Sequence, residues 1–282
     1  MTTEQDLLTV VTGAVRAAAA LVGRPATTPV TMTELRAALA ANDDAVTGAL
    51  RPVLTAALPG SRWTSDEHAS GPMPGGDWWV VDPVGGNMNA VQGMPDWNIG
   101  VSLVRDGRPV LAVLHMPVAG ETFTAVAGQG ASGDGVPLRV SAKTDLTLAL
   151  TGTGQARPGR DADRAAHAGA AVAAMMRHAL YVRVSVPVGH QLAQVAAGRM
   201  DVHWQFDNVR SHIAPVLIVR EAGGIVTDLD GAPWEIAGGG YLAAAPGVHA
   251  AALEVLREAR ESVPVGFRTA VAGRDSKPGE RL

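Results

Sequence analysis

Apolar residues recur at every third or fourth position in two early segments of the chain, residues 4–22 and 32–58. This spacing gathers the apolar side chains on one face and therefore predicts two amphipathic helices. In the second segment, the polar run at residues 42–44 and Pro52 are expected to interrupt the helix, because proline lacks a backbone donor.

Three shorter apolar runs follow at residues 78–81, 99–104 and 110–115. They are rich in β-branched or aromatic residues and are bounded by Gly, Pro or Asp, which is typical of strands. The first half of the chain is therefore predicted to combine helices with a sheet.

Helical spacing returns in the second half, after a connection rich in Gly, Arg and Asp at residues 152–165. The predicted helices there are residues 166–178, 188–197, 213–222 and 246–262. We therefore expect an N-terminal α+β half at residues 1–150, a C-terminal α/β half at residues 151–263 and a loose tail at residues 264–282.

The composition suits a folded protein with a large core, because the chain has 282 residues, of which 47% are apolar. Its formal net charge is −4, and no basic run is long enough to follow a phosphate backbone, so nucleic acid is not an expected partner. Neither a leader pattern nor a bilayer-spanning apolar run is present, so we expect a cytoplasmic protein with no membrane partner. The absence of cysteine excludes disulfides, thiolate catalysis and zinc–sulfur sites.

Three segments carry a resemblance to one family. Residues 82–89 read Asp-Pro-Val-Gly-Gly-Asn-Met-Asn, which is similar to the Asp-Pro-Ile-Asp-Gly-Thr-x-Asn loop of the inositol monophosphatase family. Upstream, Ser65-Asp66-Glu67 stands where the family has Gly-Glu-Glu, and downstream residues 217–228 resemble a strong family marker. The matching segments follow the family's order over nearly the whole chain.

The resemblance implies an α/β fold (α+β layered), an alternating α/β/α/β/α sandwich. It also implies a small-molecule substrate and a homodimer. Family phosphatases hold Mg²⁺ ions with several carboxylates, and Glu67 and Asp82 match two of those positions. Asp43 and Asp44 are equal candidates for an outer carboxylate.

Two other carboxylate positions of the family differ in this chain. Gly85 stands where the loop has its second Asp, and Arg210-Ser211 stands where the family has Trp-Asp. At a separation of about 4 Å and an effective dielectric constant of about 20, each missing charge removes roughly 4 kcal/mol of attraction for a cation. We therefore expect no metal at this site and no other cofactor.

Without a metal, Glu67 and Asp82 would repel one another if both were charged. One of them is then expected to hold a proton near neutral pH, which would place an acid beside a base. His68 and His212 neighbour the same positions and are further candidates for general acid or base, although a structural role fits either one alone equally well.

Other residues are expected to bind the substrate. Asn87 stands at the position of the family's Thr, and Gln205 stands near the family's sugar-contacting Glu. The predicted substrate-binding residues are Asn87, Asn89, Trp97, Trp204, Gln205, Asp207, Arg210 and Ser211.

Three functions follow as hypotheses. The preferred one is a repurposed enzyme that performs metal-independent acid–base chemistry, such as cyclisation, isomerisation or dehydration, on a small nitrogen-bearing metabolite of a biosynthetic pathway. The second is a Mg²⁺-dependent phosphomonoesterase acting on an inositol, sugar or nucleotide phosphate. The third is a non-catalytic protein that binds a metabolite.

Overall fold

The computed structural model describes residues 3–64, 66–154 and 162–262 of the chain. The predicted tail at residues 264–282 lies outside the described residues. The helices are α1 (Glu4–Ala19), α2 (Met32–Ala57), α3 (Asn87–Gln92), α4 (Ala162–His178), α5 (Val188–Ala196), α6 (Ile213–Glu221) and α7 (Pro246–Glu261). The strands are β1 (Arg62–Trp63), β2 (Asp77–Gly85), β3 (Asn98–Arg105), β4 (Arg108–Met116), β5 (Glu121–Val126), β6 (Gly130–Gly133), β7 (Val136–Pro137), β8 (Leu150–Thr153), β9 (Tyr181–Val184), β10 (Val202–Gln205), β11 (Ile225–Asp228) and β12 (Tyr241–Ala244).

The two N-terminal helices begin at capping boxes. Thr3 exchanges hydrogen bonds with Asp6 at the start of α1, and Thr31 does the same with Glu34 at the start of α2. Each box satisfies backbone N–H groups that have no partner within the helix. The caps therefore fix where both helices begin.

Helix α2 is continuous, so the predicted interruptions at residues 42–44 and at Pro52 are wrong. Pro52 lies on the exposed face, while Leu50 and Leu54 bury the opposite face. Tertiary packing of that face outweighs the local cost of a proline within a helix.

The strands form two sheets in the described residues. Strands β1 to β7 follow one another in sequence order, and β8 to β12 are ordered β11-β12-β10-β8-β9. In the first sheet all neighbours from β2 onward are antiparallel, whereas β8 pairs in parallel with both β9 and β10.

Helices and sheets stack in alternating layers. Helices α1 and α2 cover the outer face of the first sheet, in a core that includes Leu50 and Trp79. Helices α5 and α6 lie between the two sheets, in a core that includes Leu192 and Ile218. Helices α4 and α7 cover the outer face of the second sheet around Trp204. This order confirms the predicted layered α/β fold.

Within the described residues, no helix combines the length and the apolar character needed to cross a bilayer.

Candidate active site

Asp82 lies where β2 meets α3. It stands opposite Gly100 of β3, and Gly85 stands opposite Asn98, with a shift of register between the two pairs. Gly86 then adopts a φ of 78° and turns the chain into α3. Residues with a Cβ rarely adopt this left-handed conformation, so glycine permits the turn.

Glu67 lies in the loop after β1, and the second half of the chain holds that loop in place. The backbone N–H of Ser211 donates to the carbonyl of Glu67 at 2.9 Å, and that of Arg210 donates to the carbonyl of Ala69 at 3.0 Å. The Arg210 guanidinium also donates through Nη1 to Thr64 Oγ1 at 2.8 Å. These residues belong to a 3₁₀ turn, Arg210–His212, that precedes α6. The turn therefore positions the Glu67 loop.

Three carboxylates from distant segments meet at this point. Burial, followed by the charge of Asp82 and then that of Asp43, raises the pKa of Glu67 well above its usual value. Burial also raises the pKa of Asp82 to about 7 and that of Asp43 to about 6. The Oε2 atom of Glu67 is buried and has no hydrogen-bond partner among the described residues. No cationic side chain is among the causes that shift these three pKa values.

Asp43 and Asp44, the two equal candidates on α2, lie in different surroundings. Asp43 is partly buried and accepts a hydrogen bond from Asn87 Nδ2 at 2.8 Å. Asp44 is exposed. Asp43 is thus the carboxylate that interacts with Glu67 and Asp82.

Asn87 and Asn89 connect parts of the fold around the loop. The amide nitrogen of Asn87 also donates to the carbonyl of Leu39, and its Oδ1 accepts from Asn42. Asn89 Nδ2 donates to the carbonyls of Asp96 and Val186, at 2.8 and 2.9 Å. These bonds hold α3 against α2 and against the segment that precedes α5.

The two candidate histidines differ in exposure. The side chain of His68 is 52% exposed, and its Nδ1 lies 3.4 Å from Glu67 Oε1. His212 is buried, with its ring 5.5 Å from that of Tyr241, and burial followed by the charge of His68 lowers its pKa to about 3. His212 is therefore neutral near pH 7, and its role as a general acid or base stays a prediction.

The predicted substrate-binding residues are not all brought together. Trp97 and Trp204 are buried in the two outer cores, and their contact with a substrate stays a prediction. Gln205 points from the opposite face of β10, where its Nε2 is buried without a partner in the described residues. Asp207 and Ser211 are partly buried between β10 and α6.

Sequence reasoning missed several buried polar residues near the site. Asn98, His203 and Tyr241 are fully buried, and each has a polar side-chain atom without a hydrogen-bond partner among the described residues. The available signal was a polar residue beside large apolar residues in a buried strand, at Asn98 in β3 and at His203 in β10.

Two surface clefts lie apart from the carboxylates. One of about 420 Å³ is lined by residues that include Thr124 and Glu221, and one of about 360 Å³ by residues that include His167, Phe206 and Arg260. Neither contains Glu67 or Asp82, and we place the site at the carboxylates because the titratable groups converge there.

The layered fold and the loop that carries Asp82 can be compared with those of known proteins, and the comparison gives the family. The sequence pattern of the inositol monophosphatase family matches residues 4–263. The chain belongs to the inositol monophosphatase family.

Several relatives of this chain carry phosphatase names. It is 35% identical over 187 residues to inositol-1-monophosphatase ImpA of Mycolicibacterium smegmatis, covering 64% of this chain and 66% of the relative. It is 33% identical over 155 residues to a fructose-1,6-bisphosphatase/inositol-1-monophosphatase of Thermotoga maritima, covering 54% and 57%. The chain thus spans just under two thirds of the length of the first relative and a little over half of the second.

The fold is also that of a solved family structure. The inositol monophosphatase from Anabaena (Nostoc) sp. PCC 7120 superposes with a TM-score of 0.75 at 26% identity, covering 90% of this chain and 96% of that one.

These findings overturn the preferred hypothesis of metal-independent cyclisation, isomerisation or dehydration. Most of the relatives are named as inositol monophosphatases, others are named Nus factor SuhB, such as that of Xylella fastidiosa, and none of these names is that of a cyclase, isomerase or lyase. The expectation of no cofactor is overturned for the same reason, because the family depends on Mg²⁺.

The residues present fit one divalent cation. No group of three or more His, Asp or Glu side chains in the described ranges is arranged to hold a metal by itself. However, Mg²⁺ in proteins commonly takes one or two carboxylates and completes its shell with waters and substrate phosphates. The paired carboxylates of Glu67 and Asp82, with the unpartnered Oε2 of Glu67, are a donor set of that kind.

Proposed function

We propose that this protein is a Mg²⁺-dependent phosphomonoesterase that acts on a small phosphorylated metabolite, namely an inositol, sugar or nucleotide phosphate. The observation that carries the proposal is the partly buried Glu67–Asp82 pair, whose pKa values are raised by burial and which includes a carboxylate oxygen without a hydrogen-bond donor among the described residues. The names of the relatives support the same reaction class.

In this proposal Glu67 and Asp82 would hold the cation, and Asp43 would add the negative charge of a third carboxylate near them. A bound Mg²⁺ would neutralise the substrate phosphate and lower the pKa of water. The substrate phosphate would supply oxygen ligands in place of the carboxylates that positions 85 and 211 lack. The number of carboxylates in the sequence does not include these substrate oxygens.

Substrate contacts are proposed on the side of β10 and the 3₁₀ turn. Gln205 and Arg210 each have a buried side-chain nitrogen, Nε2 and Nε respectively, with no hydrogen-bond partner in the described part of the chain. Donors of this kind suit the hydroxyl and phosphate oxygens of a polyol phosphate. His68, beside Glu67, is the exposed group placed to exchange protons with the solvent.

Phosphate release from inositol 1-phosphate, sugar phosphates and nucleoside monophosphates tests the proposal. We expect release in millimolar Mg²⁺ and its loss in EDTA, in Glu67→Gln and in Asp82→Asn. Glu254→Gln removes an exposed carboxylate on α7 and should retain the activity. Release that is absent with every substrate, or that persists in EDTA, would contradict the proposal.

A homodimer and a cytoplasmic location belong to the same proposal. Strand β9 is an edge of the second sheet, and Tyr181 and Val184 on it are 68% and 59% exposed. An exposed apolar edge strand is a natural surface for pairing with a second copy.

A further inference from the structure

Asn98 is a buried amide beside the carboxylates. It opens β3 directly opposite Gly85, and its relative exposure is 0%. Neither Oδ1 nor Nδ2 has a hydrogen-bond partner among the described residues. A buried amide without a partner has lost its hydrogen bonds to water and gained none in return, so native structures rarely retain one.

The Asn98 amide and the Asp82 carboxylate border the same small space. A Cβ added at Gly85 would lie 2.5 Å from Asn98 Nδ2 and 2.6 Å from Asp82 Oδ2. Any side chain at position 85 would therefore collide with both groups. Glycine at this position is what allows the amide to lie next to the carboxylate.

A second glycine makes room on the other side of the amide. A Cβ added at Gly189, in the first turn of α5, would lie 3.2 Å from Asn98 Oδ1. The amide is thus enclosed by backbone at positions 85 and 189, with Asp82 as its charged neighbour. This enclosure fixes the plane of the amide and leaves open which of its two ends faces Asp82.

The two ends of the amide differ in chemistry and almost not at all in shape. A rotation of 180° exchanges oxygen and nitrogen without moving any other group. With Oδ1 toward Asp82, an amide oxygen and a carboxylate oxygen border the same space. Amide carbonyl oxygens are hard neutral ligands of the kind that Mg²⁺, Mn²⁺ and Ca²⁺ accept.

We propose that Asn98 supplies an amide oxygen to the divalent cation held by Glu67 and Asp82, as a third protein ligand. This inference rests on the proposed function. The cation would be the partner that the buried amide lacks. Because the amide oxygen carries no net charge, this ligand would not increase the repulsion among the three carboxylates.

Calorimetric titration of the EDTA-treated protein with Mn²⁺ tests the inference without an activity assay. We expect Asn98→Ala to weaken Mn²⁺ binding about tenfold, the loss of one polar contact to a charged group. Asn98→Asp should strengthen binding by a similar factor at about pH 8, because the ligand gains a charge. If both variants bind Mn²⁺ like the wild type, the amide has only a structural role and the inference is overturned.

A variant that leaves Asn98 unchanged guards against a failure to fold. Gly189→Ala adds a methyl group against the amide and should weaken Mn²⁺ binding by about two- to fivefold. Gly48→Ala is the matched control, since a Cβ on this helical glycine meets nothing within 4 Å. Equal binding by both alanine variants would also contradict the inference. Wild-type protein that binds no Mn²⁺ would instead remove the proposed function itself.

Discussion

Asp43 and Asp44 are adjacent carboxylates, and only the first interacts with Glu67 and Asp82. We expect Asp43→Asn to weaken Mn²⁺ binding by about 1 kcal/mol, or about fivefold, because it removes a negative charge near the cation. Asp44→Asn should leave the affinity within about twofold, since its side chain is exposed and screened by solvent. Calorimetry on both variants checks this, and equal effects would place Asp43 outside the site.

Asp82 should make the metal-free protein less stable as the pH rises. Its pKa is raised from 3.8 to about 7 in the folded protein, so the folded state holds a proton that the unfolded chain releases above about pH 4. The contribution of protonated Asp82 to the free energy of unfolding is complete below about pH 4 and is lost as the pH rises to about 7.

Urea unfolding in EDTA at about pH 5, 6, 7 and 8 measures this loss. Asp82→Asn has no titrating carboxyl at position 82, so we expect its stability to fall less between pH 5 and pH 7 than that of the wild type. Glu67 and Asp43, whose pKa values are also raised, keep their carboxyl groups in both proteins. His203 and His212, whose pKa values are lowered to about 3, act in the opposite direction and do so in both proteins. Parallel curves for the two proteins would show that Asp82 is not buried as a protonated acid.

Single residues of the site were predictable only where a motif marks them. Glu67 and Asp82 stand in segments that resemble family motifs, and the structure brings their side chains together. Asn98 has no such mark, because its importance depends on the glycines at positions 85 and 189. The register between β2 and β3 and the contact with α5 bring together residues that are far apart in the sequence, so no single segment of the chain predicts them.

At the scale of elements, α2 contains a proline that its packing tolerates. Pro52 is exposed within a continuous helix, so Pro52→Ala should restore a backbone donor and stabilise the protein by about 1 to 3 kcal/mol. Pro246 is the control, because it lies at the start of α7, where proline is favourable. We expect Pro246→Ala to give no gain in urea unfolding, and a similar gain from both variants would contradict this account.

Helices were predicted more fully than strands. The apolar spacing predicts α1, α5, α6 and α7 to within a few residues of their bounds. Strands β8 to β12 have only four residues each, too few for a period of two to stand out. Their position follows from packing against α5 and α6, which is a tertiary property.

At the scale of the whole molecule, the family and the layered fold were predictable, whereas the chemistry was not. The order of several motifs along the chain survives changes at individual ligand positions such as Gly85. Counting lost carboxylates led to the wrong function because a Mg²⁺ shell also includes waters and substrate oxygens, which a sequence does not contain.

The exposed edge of the second sheet is a surface on which two copies of the chain could pair. Strand β9 has one open side, and Leu180, Tyr181 and Val184 around it are all more than half exposed. If a second copy covers this edge, Tyr181→Lys combined with Val184→Lys should place like charges at the interface and yield monomers.

Sedimentation velocity of the wild type and the double variant checks this assembly. Val136→Lys is the control, because Val136 is 66% exposed on β7, at the edge of the other sheet, and it should leave the dimer intact. A wild-type monomer, or a double variant that still dimerises, would show that this edge does not pair two copies.

Because Gly152 of β8 would collide with Gln191 of α5 if it carried a side chain, the second sheet is packed closely on the middle helices. Loss of the partner should therefore lower stability before it alters the carboxylates, and Mn²⁺ affinity should be unchanged in the monomer.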